Sequence, residues 1–177
     1  MVCLPVVGFM SCDYSEKTII QERSIDLFCD NFIQSHSNWK QNQIINEKAN
    51  NDLEDSLKAN LSSGLLSDFP LKLYRINEYE PGKFAAHLNT DYSIKTKYNF
   101  TFDVIALVLK QDVAELKSDS SYAVSGNFKK FLLDDYRNYS DGLANTPKVQ
   151  IKKSDDSIPI IDLGIILMDN VTLKRID

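Results

Sequence analysis

Apolar positions along the chain change their spacing near residue 64, which separates a helical part from a part built of strands. Between residues 13 and 64, apolar side chains recur three or four positions apart, as they do on one face of a helix. The run from Ile45 to Leu61 repeats every four positions and leaves the other helix faces polar. This narrow stripe predicts a surface helix that buries one edge. Gly64 and Pro70 predict where the helical part ends.

From residue 70 onward, apolar residues alternate with polar ones or form short unbroken runs, as they do in strands. Pro81-Gly82 indicates a turn between the first two strands, and Phe100–Leu109 is apolar enough to be a strand buried on both faces. The pattern predicts strands at Leu71–Glu80, Lys83–Thr90 and Phe100–Leu109, a short helix at Gln111–Lys117, and strands from Tyr122 towards Leu133, at Val149–Lys152 and at Pro159–Lys174, the last with a bend at Gly164 or a break at Asp169-Asn170.

The order of strand, strand, strand, short helix, strand and long strand resembles that of the OB-fold, a five-stranded Greek-key barrel. The glycine in Tyr122-Ala-Val-Ser-Gly126-Asn-Phe128 adds to a resemblance that covers residues 71–176. A half-open α+β sheet with the N-terminal helices packed across it fits the same pattern. The predicted fold class is therefore α+β, with a helical segment at residues 13–64. A mostly antiparallel OB-like barrel, or half-open sheet, of five to six strands follows at residues 70–177.

The first twelve residues carry no charge, and the chain turns polar immediately after them. A block of this length is too short to span a bilayer but suits the apolar region of an export signal. Its end, Phe9-Met10-Ser11-Cys12, resembles the lipobox of bacterial lipoproteins, in which a small residue precedes the cysteine that is acylated. The match departs from the usual pattern in two ways, because Phe9 stands where leucine is usual and no Lys or Arg precedes the block.

The lipobox resemblance implies that residues 1–12 comprise a signal peptide and its lipobox, and that the mature chain begins at a lipidated Cys12. The lipid would hold the protein at a membrane of the bacterial cell envelope. The alternative is a buried first strand from Val2 to Met10, which would suit a cytoplasmic protein. Removing the signal and acylating Cys12 would leave Cys29 as the one free thiol, so no disulfide is expected within the domain. No stretch approaches 18 consecutive apolar residues, so no transmembrane helix is predicted.

The net charge of −5 argues mildly against sequence-independent nucleic-acid binding, which depends on neutralising phosphates. A local set of basic and aromatic residues nevertheless stands out, because single strands bind to aromatic platforms inside a positive groove. The same surface could bind a peptide, a glycan or another envelope protein, or its rings could pack in the core. The predicted ligand surface comprises Tyr92, Lys95, Lys97, Tyr98, Lys129, Lys130, Tyr136, Arg137 and Tyr139.

No catalytic motif accompanies these residues: the chain has neither a Gly-x-Ser-x-Gly elbow nor a glycine-rich phosphate loop. Cys29, His36 and His87 make a poor zinc set, and both histidines are expected to be exposed or to cap helices. Acids in the loop at 134–141 match no calcium-binding pattern. We therefore predict no metal and no cofactor.

Three functions fit these features. The first is a non-enzymatic, lipid-anchored envelope protein whose β-rich module binds an unknown ligand. The second is a single-stranded nucleic-acid-binding OB-fold protein. The third is an enzyme of a class that leaves no diagnostic motif.

Overall fold

A computed structural model describes residues 22–93, 95–132, 149–154 and 158–176. Helices come first and strands follow, in the order that the sequence predicts. The elements are helix α1 at Ser24–Ser35, helix α2 at Gln43–Leu61, strands β1 at Leu71–Glu80, β2 at Lys83–Thr90 and β3 at Asn99–Leu109, the one-turn helix α3 at Lys110–Val113, and strands β4 at Ser121–Leu132, β5 at Gln150–Lys152 and β6 at Ile160–Ile176.

Both long helices begin at residues whose side chains satisfy backbone N–H groups. At the start of α1, the Arg23 backbone N–H donates to the Asp26 carboxylate at 3.1 Å. At the start of α2, the Asn42 side chain accepts from the Ile45 backbone N–H at 3.0 Å. Asparagine is among the residues preferred at this position because the first turn of a helix has no carbonyl partners for its N–H groups.

The strands form one sheet that closes on itself into an uneven ring. β1, β2 and β3 pair antiparallel in succession, and β3 pairs in parallel with β6. β6 also pairs antiparallel with β4 and with the short edge strand β5. The ring closes through two residue pairs between β1 and β4, Leu71–Tyr122 and Lys72–Ser121. The fold is therefore α+β with a mostly antiparallel, barrel-like sheet of six strands, which confirms the predicted class.

The last strand, β6, runs without a break, so the predicted alternative of a break at Asp169-Asn170 is wrong. Asn170 takes a left-handed conformation, with φ of 48°, yet stays within the strand. Gly164 has φ of 67°, and the pairing of β6 with β3 shifts by one residue at this point. Left-handed backbone suits glycine because it has no Cβ to clash. The shift at Gly164 lies in the part of β6 that pairs with β3 on one side and with β4 or β5 on the other.

One hydrophobic core joins the helices to the inner face of the sheet. The apolar stripe of α2 is buried in that core, so it packs against the protein's own sheet. Full burial of one leucine side chain stabilises a fold by roughly 1.5–3 kcal/mol, so the stripe is a substantial part of what holds the helices to the sheet. Its members are Ala49, Leu53, Leu57 and Leu61, and they pack with sheet residues such as Leu73, Leu88, Phe102, Val124 and Ile166.

The outward face of β2, β3 and β6 carries a second apolar cluster, built from Ala85, Ile105, Ile165 and Leu167. His87 lies on the same face of β2 as Ala85 and is only 4% exposed. The expected exposed or capping role is therefore wrong for this histidine. The reason is its position on a central strand of the sheet, with β1 on one side and β3 on the other.

The edge strand β5 is held by side chains of α2. The Ile151 backbone N–H donates to the Asn50 side chain at 3.0 Å, and the Ile151 carbonyl accepts from Asn46 at 3.3 Å. Asn50 and Asn46 also bond to each other at 3.1 Å, four positions apart on the helix. Two asparagines thus take the place of a neighbouring strand, which explains part of the polar face of α2 and protects a sheet edge.

Candidate functional site

A cleft opens where β2 ends and β3 begins. Its walls come from the β2–β3 connection, from the first residues of β3, and from the residues on either side of positions 155–157. Its volume is about 670 Å³, within the usual range for small-molecule sites. The described lining residues are Thr90, Asp91, Tyr92, Lys95, Thr96, Asn99, Phe100, Thr101, Ser154, Ile158 and Ile160.

The lining mixes apolar side chains with hydroxyl and amide groups. A cleft of this composition suits a ligand that offers both an apolar face and hydrogen-bonding groups.

Two of the lining residues expose large apolar surfaces. Tyr92 is 74% exposed and Ile158 is 44% exposed, although both face a common cleft. Single exposed apolar residues are ordinary on protein surfaces, but here an exposed ring and an exposed aliphatic side chain line one concave site. Lys95 adds a cation to the same lining. Tyr92 and Lys95 are the two predicted ligand residues that the structure places here.

The rim of the cleft is fixed by hydrogen bonds. Asp91 accepts from the Ser93 backbone N–H at 3.0 Å and from the Ser93 hydroxyl at 2.6 Å, and its second oxygen accepts from the Ser121 hydroxyl at 2.8 Å. Partial burial works against ionisation, but these hydrogen bonds hold the pKa of Asp91 below its ordinary value. The Thr90 hydroxyl bonds to both backbone groups of Phe102. The walls of the cleft are therefore held in place without a ligand.

Lys97 and Tyr98 bind α1 and so tie the cleft's connection to the helix. Both side chains contact the Asp30 carboxylate, and Lys97 also lies 3.7 Å from Glu22. Hydrogen bonds from Lys97 and Tyr98 lower the pKa of Asp30, while burial and the nearby carboxylate raise the pKa of Tyr98. The Tyr98 ring is only 8% exposed. These two residues hold the fold together at this point and offer no open ring to a ligand.

Lys129 lies at the far end of the sheet. It pairs with Asp169 at 3.1 Å and lines a separate cleft of about 190 Å³ that also contains Leu109, the last residue of β3. Since the first residue of β3, Asn99, lines the Tyr92 cleft, the two sites are about 33 Å apart along the strand. Lys130 is exposed and pairs in register with Leu167 of β6. The described lysines and tyrosines therefore do not form one continuous surface.

Four predicted residues lie outside the described part of the chain: Cys12, Tyr136, Arg137 and Tyr139. No pattern in the sequence selects the other cleft residues, such as Thr96, Asn99 and Ile158. These residues come from separate segments of the chain, which meet because β3 and β6 pair in parallel. The alternation of polar and apolar residues within each strand does not predict which strands pair.

The residues considered for catalysis or metal binding lie apart from this cleft. Cys29 is buried in the core, and burial raises the pKa of its thiol, so it is a poor nucleophile. His36 ends α1, where its ring stacks on Phe32 and its Nε2 atom lies 3.3 Å from Asp52. This is the capping role predicted for His36. Within the described ranges, no three His, Cys, Asp or Glu side chains come close enough to hold a metal ion.

Comparison with known proteins found no match: no family model, no curated protein and no solved structure matches this chain. In the described part of the chain, no helix is long and apolar enough to cross a membrane. The function must therefore be inferred from the cleft and from the sequence features around it.

Proposed function

We propose that this protein is a non-enzymatic, lipid-anchored component of the bacterial cell envelope, and that its β-rich module binds a ligand in the Tyr92 cleft. The observation that carries the proposal is the exposed Tyr92 ring beside exposed Ile158 in a cleft with a fixed polar rim. The anchor is supported by the lipobox-like end of the first twelve residues, with Cys12 as the lipidated residue.

The ionisable groups of the cleft favour binding over catalysis. A general base works best when its pKa lies near the working pH. The pKa of Asp91 is held low, and three hydrogen bonds already occupy its oxygens. Among the described lining residues, Lys95 and Tyr92 are the other ionisable side chains. Such a set can hold and orient a ligand, whereas Asp91, with its lowered pKa and engaged oxygens, is poorly suited to act as a general base.

The chemistry of the lining supports an uncharged polar chain as the ligand, either a peptide or a glycan. The Tyr92 ring offers a flat apolar surface, as sugar rings and peptide side chains require. The Asn99 amide lines the same cleft and can bond to ligand hydroxyls or amides, and the Thr96 hydroxyl, which donates to the Tyr98 carbonyl at 2.6 Å, can still accept from a ligand. An envelope location would bring both kinds of chain within reach.

The cleft is tested by the substitution Tyr92→Ser, with Tyr79→Ser as the matched control. Tyr79 is also an exposed tyrosine but lies on β1, outside the cleft. Surface plasmon resonance would measure binding to N-acetylglucosamine oligomers and to a set of short uncharged peptides. Loss of the ring contact should weaken binding by about tenfold, while Tyr79→Ser should leave it unchanged. If no probe binds, or if both variants bind alike, the proposed cleft is wrong.

A second candidate function, single-stranded nucleic-acid binding, is favoured by one observation. Tyr92 and Lys95 bring an aromatic ring and a cation into the same cleft. Against it, Lys97 and Tyr98 are engaged by α1, and Lys129 lies at the other end of the sheet. A labelled oligonucleotide at low salt distinguishes the two functions, because nucleic-acid binding should be detectable there and weaken as salt rises. No binding at low salt would dismiss it.

A further inference from the structure

A second groove lies between the α1–α2 connection and the edge strand β5. It has a volume of about 510 Å³ and is separate from the Tyr92 cleft. The described lining residues are Trp39, Lys40, Gln41, Asn42, Gln43, Asn46, Gln150, Ile151, Lys152 and Lys153.

The charge of this groove is opposite to that of the whole chain. Lys40, Lys152 and Lys153 line it, and no described lining residue is acidic, whereas the chain carries a net charge of −5. Lys152 lies 3.5 Å from Asp162, which offsets part of its charge. Lys40 sits over the Trp39 ring, with its ammonium 5.1 Å from the ring centre. The groove therefore presents a local positive surface, which attracts anionic groups.

Amide side chains supply the rest of the polar lining. Gln41, Asn42, Gln43, Asn46 and Gln150 all line the groove. Asn42, Gln43 and Asn46 already bond to Ile45, Glu47 and Ile151, so Gln41 and Gln150 are the lining amides whose donors and acceptors can match sugar hydroxyl groups. These two amides can bond to ligand hydroxyl groups beside the positive charge of the lysines.

The frame of the groove is fixed by its surroundings. Ile151 is pinned between Asn50 and Asn46 of α2, and Trp39 is buried in the core with only 3% of its surface exposed. A buried Trp39 ring also leaves no open aromatic platform among the described lining residues. This weighs against nucleic acid, whose single strands bind by base stacking.

We propose that this groove is a second binding site, and that its ligand is an acidic glycan, a sugar chain carrying carboxylate groups. The lysines would pair with the carboxylates while the amides bond to the hydroxyls. The proposal concerns a different part of the molecule from the Tyr92 cleft and does not depend on lipidation of Cys12. The groove proposal and the proposed function are therefore tested independently of each other.

The test uses the full chain and fluorescently labelled oligogalacturonate, with neutral dextran and a single-stranded DNA oligonucleotide as comparison probes. Lys40→Gln combined with Lys153→Gln removes two groove charges, and Lys174→Gln is the matched control because Lys174 is an exposed lysine on β6, outside the groove. Oligogalacturonate should bind, and the double variant should bind it about fivefold to tenfold more weakly. The control should bind as the unchanged chain does, and dextran should bind far more weakly.

Three outcomes would overturn the proposal: no binding of oligogalacturonate at low salt, equal binding by the double variant and the control, or equal binding of the DNA and the glycan. The last would mean a general polyanion surface. A further variant, Gln41→Ala with Gln150→Ala, keeps every charge and should weaken the binding of the glycan but not that of the DNA. Thermal unfolding of each variant shows that it is folded, so a loss of binding is not mistaken for a loss of structure.

Discussion

At the scale of single residues, His87 is a polar side chain buried on a face where the sequence alone suggests exposure. Burial first, and the nearby Arg75 guanidinium second, lower the pKa of His87 from 6.5 to about 4. An Arg75 nitrogen lies 3.5 Å from the His87 ring. The imidazole is therefore neutral at pH 7, because its charged form would be both desolvated and repelled.

This shift predicts that the protein loses stability in mild acid. The pKa of His87 is lower in the folded state than in the unfolded state, so the unfolded chain takes up the proton first. The stabilising contribution is complete above pH 6.5 and is lost as the pH falls from 6.5 through about 4. The loss should reach about 3 kcal/mol, at 1.4 kcal/mol for each pKa unit.

Urea unfolding at a series of pH values between 7 and 4 measures this loss. In His87→Gln, the free energy of unfolding should depend less on pH across that interval. The matched variant His36→Gln removes the other histidine and tests whether the slope belongs to His87. An unchanged slope in His87→Gln would contradict the assignment.

Gly126, the glycine noted in the sequence of β4, lies where a side chain would meet the backbone of β6. A Cβ at this position would lie 2.8 Å from the Asp169 carbonyl oxygen and 3.1 Å from the Val171 Cα atom. A side chain here would clash with the backbone of β6 unless one of the two strands moved, so glycine suits this close pairing of β4 and β6. The glycine noted in the sequence thus allows a close approach between two strands.

At the scale of elements, the asparagines of α2 hold β5 in the sheet. In Asn50→Ala, the N–H of buried Ile151 loses its acceptor. An unpaired buried group costs about 1–3 kcal/mol, so the free energy of unfolding should fall by that amount. Hydrogen exchange at the Ile151 amide should become faster. Asn51→Ala, an exposed neighbour on the same helix, should change stability by less than about 0.5 kcal/mol; equal effects of the two substitutions would contradict this role.

The strands were the most predictable elements. β1 and β2 have the predicted bounds because Pro81-Gly82 fixes the turn between them and their side chains alternate clearly. The short helix α3 ends earlier than predicted, at Val113 rather than Lys117. The sequence could not show that Lys97 and Tyr98 would bind Asp30, because that contact joins residues almost seventy positions apart.

At the scale of the whole molecule, ring closure brings the candidate site together. The parallel pairing of β3 with β6 joins segments about sixty residues apart and places Ile158 and Ile160 beside Asn99. Alternation of polar and apolar residues predicts strands but not which strands pair. For that reason the predicted ligand residues that the structure describes lie in at least three separate places, and among them only Tyr92 and Lys95 share a cleft.

The central claim, lipid anchoring at Cys12, is tested most directly by intact mass and detergent partitioning of the full-length product in a lipoprotein-competent bacterial host. Cys12→Ala removes the proposed acylation site, and Cys3→Ala is the matched control because Cys3 lies within the segment that cleavage would remove. We predict an added lipid mass and partitioning into detergent for the unchanged chain and for Cys3→Ala, both lost in Cys12→Ala. An unmodified product that starts at Met1 and stays out of the detergent would contradict the account.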